Sequence, residues 1–118
     1  MASRKITDTV SELQEKYVYF HSGMVAAGID YILTCTLRTQ AEQEELYAQG
    51  RTKPGAKVTW TLASKHIEGK AFDIAVMKNG KITWDEREYD QAGIIGEEAG
   101  LEWGGRFKTP DRPHFQIA

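Results

Sequence analysis

Two histidines and two aspartates in this chain stand at spacings that permit metal-assisted hydrolysis. His66 and Asp73 lie seven positions apart, across a turn-permitting glycine, in Ser64-Lys65-His66-Ile67-Glu68-Gly69-Lys70-Ala71-Phe72-Asp73. His114 lies near the C-terminal end, three residues after Asp111. Two imidazoles and one carboxylate are a common ligand set for catalytic zinc, which keeps a fourth coordination position for water. A further carboxylate beside one ligand supplies the proton carrier that such a hydrolase needs. His66, Asp73 and His114 are therefore candidate Zn²⁺ ligands, and Asp111 is the candidate general acid/base. Glu68 is the rival proton carrier; its simpler reading is a loop carboxylate in water.

The elements that must position these groups follow from periodicity and turn chemistry. Residues 9–27 read as a helix, with Val10, Leu13, Tyr17, Phe20 and Met24 on one face, a Thr9/Glu12 capping box and Gly28 as the stop. Residues 29–37 read as a buried strand. Its alternation points Tyr31, Leu33, Cys35 and Leu37 one way and Thr34, Thr36 and Arg38 the other. Thr39 and Glu42 cap a short helix running to about Ala48. Residues 51–64 read as a long loop of the kind that often carries function. Trp60 within it either lines a cleft or anchors the loop.

Residues 70–78 read as a strand with Phe72, Ile74 and Val76 on one side and Ala71, Asp73 and Ala75 on the other. The two alanines leave clearance around Asp73, and a bound metal would supply the partner that a buried carboxylate requires. Asn79-Gly80 is a two-residue hairpin signal, with residues 81–84 returning antiparallel. Asp85 caps a helix ending near Gly100, and residues 101–103 and 114–117 complete the strands. This order predicts an α+β domain, residues 1–118, with a small antiparallel sheet packed against about three helices.

Four further residues have competing readings. Arg38, at the end of a strand's polar face and next to a helix N-cap, suits a fixed cation in a cleft, apt for a carboxylate or a developing oxyanion. Ser64 is either a loop polar group or a hydrogen-bonding partner for substrate or ligand. Gln43 is expected on a solvated helix face, and His21 as a packed or capping residue.

Composition bounds the rest. Of the 118 residues, 41% are hydrophobic and 27% charged, ordinary values for a globular domain. A formal net charge of −2 offers no broad basic field for nucleic acid. The single cysteine, Cys35, excludes an internal disulfide and is expected as a buried small hydrophobe. No run approaches the ~20 apolar residues that span a bilayer. No apolar secretory segment opens the chain, so it is expected to be made in the cytoplasm, with any work outside needing another export route.

The combination Ser64-x-His66-x-x-Gly69-x-Ala71-x-Asp73 with Asp111-x-x-His114 resembles the zinc peptidases of the D-alanyl-D-alanine carboxypeptidase and dipeptidase group. Within that group it looks most like phage L-alanyl-D-glutamate endolysins. Leu37-Arg38-Thr39 through Gln43, Leu46-Tyr47 and Gly50-Arg51 resembles the group's Arg-to-Gln segment, and Leu101-Glu102-Trp103-Gly104-Gly105 its Trp-Gly-Gly turn. The resemblance spans residues 29–117. It implies the small α+β fold shared with the zinc domain of Hedgehog signalling proteins. It implies His66, Asp73 and His114 as zinc ligands, Asp111 as general acid/base and Arg38 near the scissile carbonyl. The substrate it implies is the peptidoglycan stem peptide, cleaved by a monomeric phage enzyme. That enzyme would be held in the host cytoplasm and reach the wall through a membrane lesion. A D,D-carboxypeptidase or D,D-dipeptidase activity is the first alternative, and a binding domain with a purely structural zinc is the second.

Overall fold

The computed structural model describes residues 2–59 and 63–118; Trp60, whose role the sequence left open, lies outside the described residues. Helix α1 spans Ser11–Ala27, strand β1 Asp30–Cys35, helix α2 Gln40–Ala48, strand β2 Ala71–Lys78, strand β3 Lys81–Ile82, helix α3 Glu86–Glu98, strand β4 Glu102–Trp103 and strand β5 His114–Gln116. The strands form one antiparallel sheet in the order β1-β2-β5-β4, with β3 paired to β2. The expected α+β class and its three helices are present.

The sheet has two chemically distinct faces. Phe72, Ile74 and Val76 of β2 and Phe115 of β5 join Leu13, Phe20 and Met24 of α1 and Tyr89 and Ala92 of α3 in the core. Phe20, Phe72 and Phe115 form its centre, with ring centroids 4.8–5.3 Å apart. Strand alternation then sends Asp73 and His114 to the opposite face. The two are directly paired in the β2–β5 register, so the core that buries their neighbours also aligns them.

Local chemistry explains most boundaries. The capping box at α2 is formed: Thr39 accepts from Glu42 N at 3.1 Å, and Glu42 accepts from Thr39 N at 2.9 Å. Asp85 caps α3 by accepting from Arg87 N. Asn79 and Gly80 both take positive φ, 54° and 76°, as the hairpin requires. Among the described residues, no helix is long and apolar enough to cross a membrane.

Three expectations fail here. The Thr9/Glu12 box does not form. A short 3-10 turn, Ile6–Asp8, draws Thr9 inward, where its hydroxyl donates to Ile6 O at 2.6 Å, and α1 starts at Ser11 without a side-chain cap. The returning strand is limited to Lys81–Ile82, shorter than residues 81–84. Most consequentially, β1 does not alternate evenly to its end. The pairing with β2 slips between Leu33 and Cys35, so that Cys35 sits opposite Asp73. Such a bulge redirects side chains near functional sites, and here it moves Cys35 from the expected apolar face to the Asp73 side. Beyond it, Thr36 N donates to Ser3 O at 2.7 Å and Ser3 N to Leu37 O at 2.9 Å, which covers the strand's continuing edge.

The α2 cap sets the direction of the helix that follows Arg38. Thr39→Ala is expected to cost about 0.5–2 kcal/mol, read as a lower urea midpoint at unchanged m-value. Thr9→Ala acts on no helix cap and, unlike Thr39→Ala, should leave the helical content of the N-terminal region unaltered by circular dichroism.

Candidate active site

Register places three side chains in a row across the sheet: Cys35 on β1, Asp73 on β2 and His114 on β5. His66 joins them from the turn before β2. Its carbonyl accepts from Arg38 N at 3.0 Å, and its own N–H donates to Ser64 Oγ at 3.2 Å. Ser64 thus holds the His66 turn while also lining the cavity beside it.

The two imidazoles meet at one carboxylate oxygen. His66 Nε2 lies 3.1 Å and His114 Nδ1 3.0 Å from Asp73 Oδ1. The far nitrogen of each ring is committed elsewhere. His66 Nδ1–H donates to Thr36 O at 2.9 Å. His114 Nε2–H donates to Gln116 Oε1 at 2.7 Å, and Gln116 Nε2 donates in turn to Glu102 Oε1 at 2.9 Å. These tautomers follow from the acceptors, since a carbonyl oxygen can only receive a proton. Each inner nitrogen therefore meets the carboxylate either as a proton donor, when the ring is charged, or through a lone pair that a cation would have to bridge, an arrangement that calls for positive charge between them. His66 Nε2 is buried and makes no hydrogen bond among the described residues.

The titration shifts express the same demand. Burial works against a charged His66, but Asp73 and then Cys35 outweigh it and the imidazole is pushed up to about 10. Burial also opposes the Asp73 charge, yet the imidazoles of His114 and His66 beside it hold its carboxyl well below the usual range. The donor set suits zinc, which takes nitrogen and carboxylate oxygen at about 2.0–2.2 Å. Neighbouring donors in a tetrahedron of that size stand roughly 3.3 Å apart, close to the 3.0 and 3.1 Å observed.

Cys35 also comes near. Donor atoms of Cys35, His66 and Asp73 lie within 4.8 Å of one another. The thiol, however, stands 3.6 Å from His66 Nδ1, the nitrogen that Thr36 O already engages, and it accepts from Arg38 Nη2 at 3.2 Å. It supports the outer side of His66, whereas Nε2, Asp73 Oδ1 and His114 Nδ1 converge on the inner side.

Asp111 shares a cavity of about 270 Å³ with Arg38, Ser64, His66 and Asp73. Burial raises its pKa above the ordinary carboxylate value and the Asp73 charge raises it further, against the opposing pull of His114, His66 and Arg38. A carboxylate so placed can both take up and return a proton. Its position depends on the Trp103-Gly104-Gly105 turn. Asp111 N donates to Gly104 O at 2.8 Å, and a Cβ on Gly104 would lie 2.2 Å from Asp111 O. Trp103 Nε1 donates to Arg112 O at 2.8 Å and pins the other side of the loop. A larger cleft of about 590 Å³ is lined by Val58, Thr59 and residues 63–65 together with residues 107–111, His114 and Gln116.

Arg38 faces the cavity of about 270 Å³ as a fixed cation. Nη1 donates to Gln43 Oε1 at 2.6 Å and Nη2 to Cys35, while Nε is buried without a hydrogen bond among the described residues. Gln43 corrects the sequence expectation. It is not on a solvated face but is 0% exposed, bridging Arg38 and Thr59 Oγ1. The available signal was its spacing, three residues before the cleft-lining Leu46 on the same helix face. Glu68 stays outside, ion-paired to Lys65 at 3.5 Å. His21 is exposed and pairs with Tyr31 OH at 2.6 Å, away from the site.

Fold and site together define a small α+β domain in which two histidines and an aspartate meet on the open face of an antiparallel sheet, with a second aspartate in the adjoining cleft. Residues 57–117 match the protein family described as D-alanyl-D-alanine carboxypeptidase, and the chain belongs to that family. The matched span contains His66, Asp73, Asp111 and His114, whereas Cys35, Arg38 and Gln43 precede it. The chain is 40% identical over 104 aligned residues to the peptidoglycan L-alanyl-D-glutamate endopeptidase CwlK of Bacillus subtilis (strain 168). That alignment covers 76% of this chain and 62% of CwlK, so the chain spans less than two thirds of that relative's length. Its fold is similar to that of the L-Ala D-Glu endopeptidase ChiX of Serratia marcescens, with a TM-score of 0.80 and 25% identity over 100% of this chain and 89% of ChiX.

One zinc per chain is expected, and His66→Ala, Asp73→Ala and His114→Ala should each lose it. Gln116→Ala, which frees the outer nitrogen of His114, should weaken zinc affinity about 10–100-fold, and Cys35→Ala should retain the metal. Chelator competition followed by metal analysis checks all five. Retention of zinc by all three ligand variants would rule out the site.

Proposed function

We propose that this chain is a zinc-dependent peptidase of the peptidoglycan stem peptide, cleaving the bond between L-alanine and D-glutamate. The observation that carries the reading is the meeting of two imidazole nitrogens at Asp73 Oδ1, with Asp111 in the same cavity. The choice of bond rests on similarity to CwlK and ChiX, whose names state it. Zinc held by His66 Nε2, Asp73 and His114 Nδ1 would supply a Lewis acid that polarises the amide carbonyl and makes water nucleophilic near neutral pH.

The chain's own residues do the rest. Asp111 takes the proton of the attacking water on a carboxylate oxygen and later hands it to the departing amine. Its raised pKa suits both tasks, because Brønsted behaviour favours a carrier whose affinity for the proton is near that of its surroundings. Arg38, held by Gln43 and Cys35, places a permanent positive charge where the carbonyl oxygen becomes anionic. Cys35 takes no nucleophilic part, being occupied by Arg38 and His66 in the interior.

A D,D-carboxypeptidase activity is the second reading, favoured by the family description itself. A structural-zinc binding domain is disfavoured by Asp111, for which a closed structural site has no use. The monomeric state, the phage-endolysin role and the cytoplasmic residence before wall contact belong to the same proposal and rest on the sequence resemblance. Digestion of purified peptidoglycan separates the activities. New N-terminal D-glutamate marks the proposed endopeptidase, and free D-alanine marks the alternative.

Asp111→Asn should keep zinc and fold but lower hydrolysis about 10²–10⁴-fold; near wild-type cleavage would reduce Asp111 to a turn residue. Arg38→Ala should lower kcat and kcat/KM together by about 10²–10³-fold, with partial recovery in Arg38→Lys. A change in KM alone would move Arg38 to a substrate carboxylate contact.

A further inference from the structure

The loop that carries Asp111 has a second side. Pro110 lines the main cleft on one side, and on the other it borders a separate slot of about 150 Å³. That slot is lined by Trp84, Glu86, Tyr89, Pro110, Arg112 and Pro113. Trp84 is 68% exposed, a large aromatic surface left to solvent. It is not loosely placed. Its ring lies 6° from parallel to that of Tyr89, with centroids 5.8 Å apart. Tyr89 is 2% exposed and locked through its hydroxyl, which donates to Thr83 O at 2.9 Å and accepts from Val76 N at 3.1 Å. The rim is polar: Arg112 Nε donates to Asp90 Oδ1 at 3.0 Å, and its Nη2 stands 3.7 Å from Glu86 Oε2.

The geometry points to this slot as a sugar subsite, in which Trp84 is the platform for a pyranose ring of the peptidoglycan glycan strand. A pyranose offers a C–H-rich face to an aromatic ring and a belt of hydroxyls at its edge. The slot offers the matching pair, an open indole face and a rim of paired charges. Its volume is well below that of ordinary small-molecule pockets, roughly 300–1,000 Å³, and so takes one ring and not a peptide strand. Position supplies the second argument, which rests on the proposed function. In peptidoglycan the L-alanine of the stem is joined directly to the muramic acid sugar. A bond cleaved on the far side of that alanine therefore lies one residue from the glycan. Pro110 is adjacent to Asp111 and forms the common wall of cleft and slot, so a stem peptide seated at Asp111 has its sugar within reach of Trp84.

The test uses the full-length, zinc-loaded chain, Trp84→Ala and Trp84→Phe. Two substrates carry the same L-Ala-γ-D-Glu stem peptide, one free and one attached to the N-acetylglucosaminyl-N-acetylmuramic acid disaccharide. The wild type should favour the sugar-bearing substrate in kcat/KM. Trp84→Ala should lose about three- to tenfold on it while matching the wild type on the free peptide, and Trp84→Phe should recover part of the loss. Separately, the peptide-free disaccharide is titrated into each protein and followed by NMR; binding should shift the Trp84 indole N–H and be absent in Trp84→Ala. An equal loss on both substrates would mean a structural role for Trp84 and overturns the proposal, as does the absence of disaccharide binding to the wild type. If neither substrate is cleaved, the endopeptidase reading has failed, and the titration alone decides the subsite: binding that depends on Trp84 keeps it, and no such binding removes it.

Discussion

One carboxylate oxygen organises this protein. Asp73 Oδ1 stands half-buried at the cavity wall with an imidazole nitrogen on either side, at 3.1 and 3.0 Å. A buried anion without a partner is costly, and these two nitrogens partner it only when a proton or a cation lies between. The arrangement persists because each contributing group is fixed from outside. Thr36 O holds the far nitrogen of His66, and the Gln116–Glu102 chain holds that of His114. Such outer contacts orient metal ligands and set their basicity. The demand for positive charge at the centre is thus built into the backbone positions of β1, β2 and β5 before any ion is considered.

The two faces of β2 divide the work of the domain. Phe72, Ile74 and Val76 bind the strand to the aromatic core, and Asp73 between them is held at a height and angle that a loop could not maintain. Sites carried on rigid elements are more accurate than sites on loops. Asp111, by contrast, is on a loop, and its accuracy has another source. Gly104 permits an approach that any side chain would block, and the Trp103 indole anchors the neighbouring carbonyl. The proposed ligand set is rigid because of the sheet, and the proposed proton carrier because of one tight turn.

The first third of the chain contributes to the site through a displaced strand end. The slip between Leu33 and Cys35 turns the thiol toward Asp73, where it contacts both His66 and Arg38. Gln43 completes the support of Arg38 from α2. A cation held on two of its nitrogens by neutral groups keeps its charge available to the cavity and cannot swing away. The span that matches the family, residues 57–117, lacks all three of these residues, so the electrostatics of the cleft depend on packing between two separate parts of the chain.

Much of this was legible in the sequence, because the relevant rules are local. Period-2 alternation put Asp73 on the face opposite Phe72 and Ile74, and the Thr39/Glu42 and Asp85 caps and the Asn79-Gly80 turn set element ends by bonds only a few residues long. The residue types at 66, 73, 111 and 114 suggested the chemistry proposed for them. What tertiary structure alone decided involves partners far apart in sequence. The bulge in β1 is a property of its pairing with β2, not of its own residues, so counting alternate positions placed Cys35 on the wrong face. Gln43 reads as a surface polar residue until Arg38 and Thr59 are brought to it. Thr9 carries the spacing of a capping box but is drawn into a 3-10 turn by the segment before it. The tautomers of His66 and His114 likewise depend on Thr36, thirty residues before the first, and on the Glu102 contact that orients Gln116. Sequence determines which groups are present and which face each element offers; strand register and long-range hydrogen bonds decide which of those groups meet.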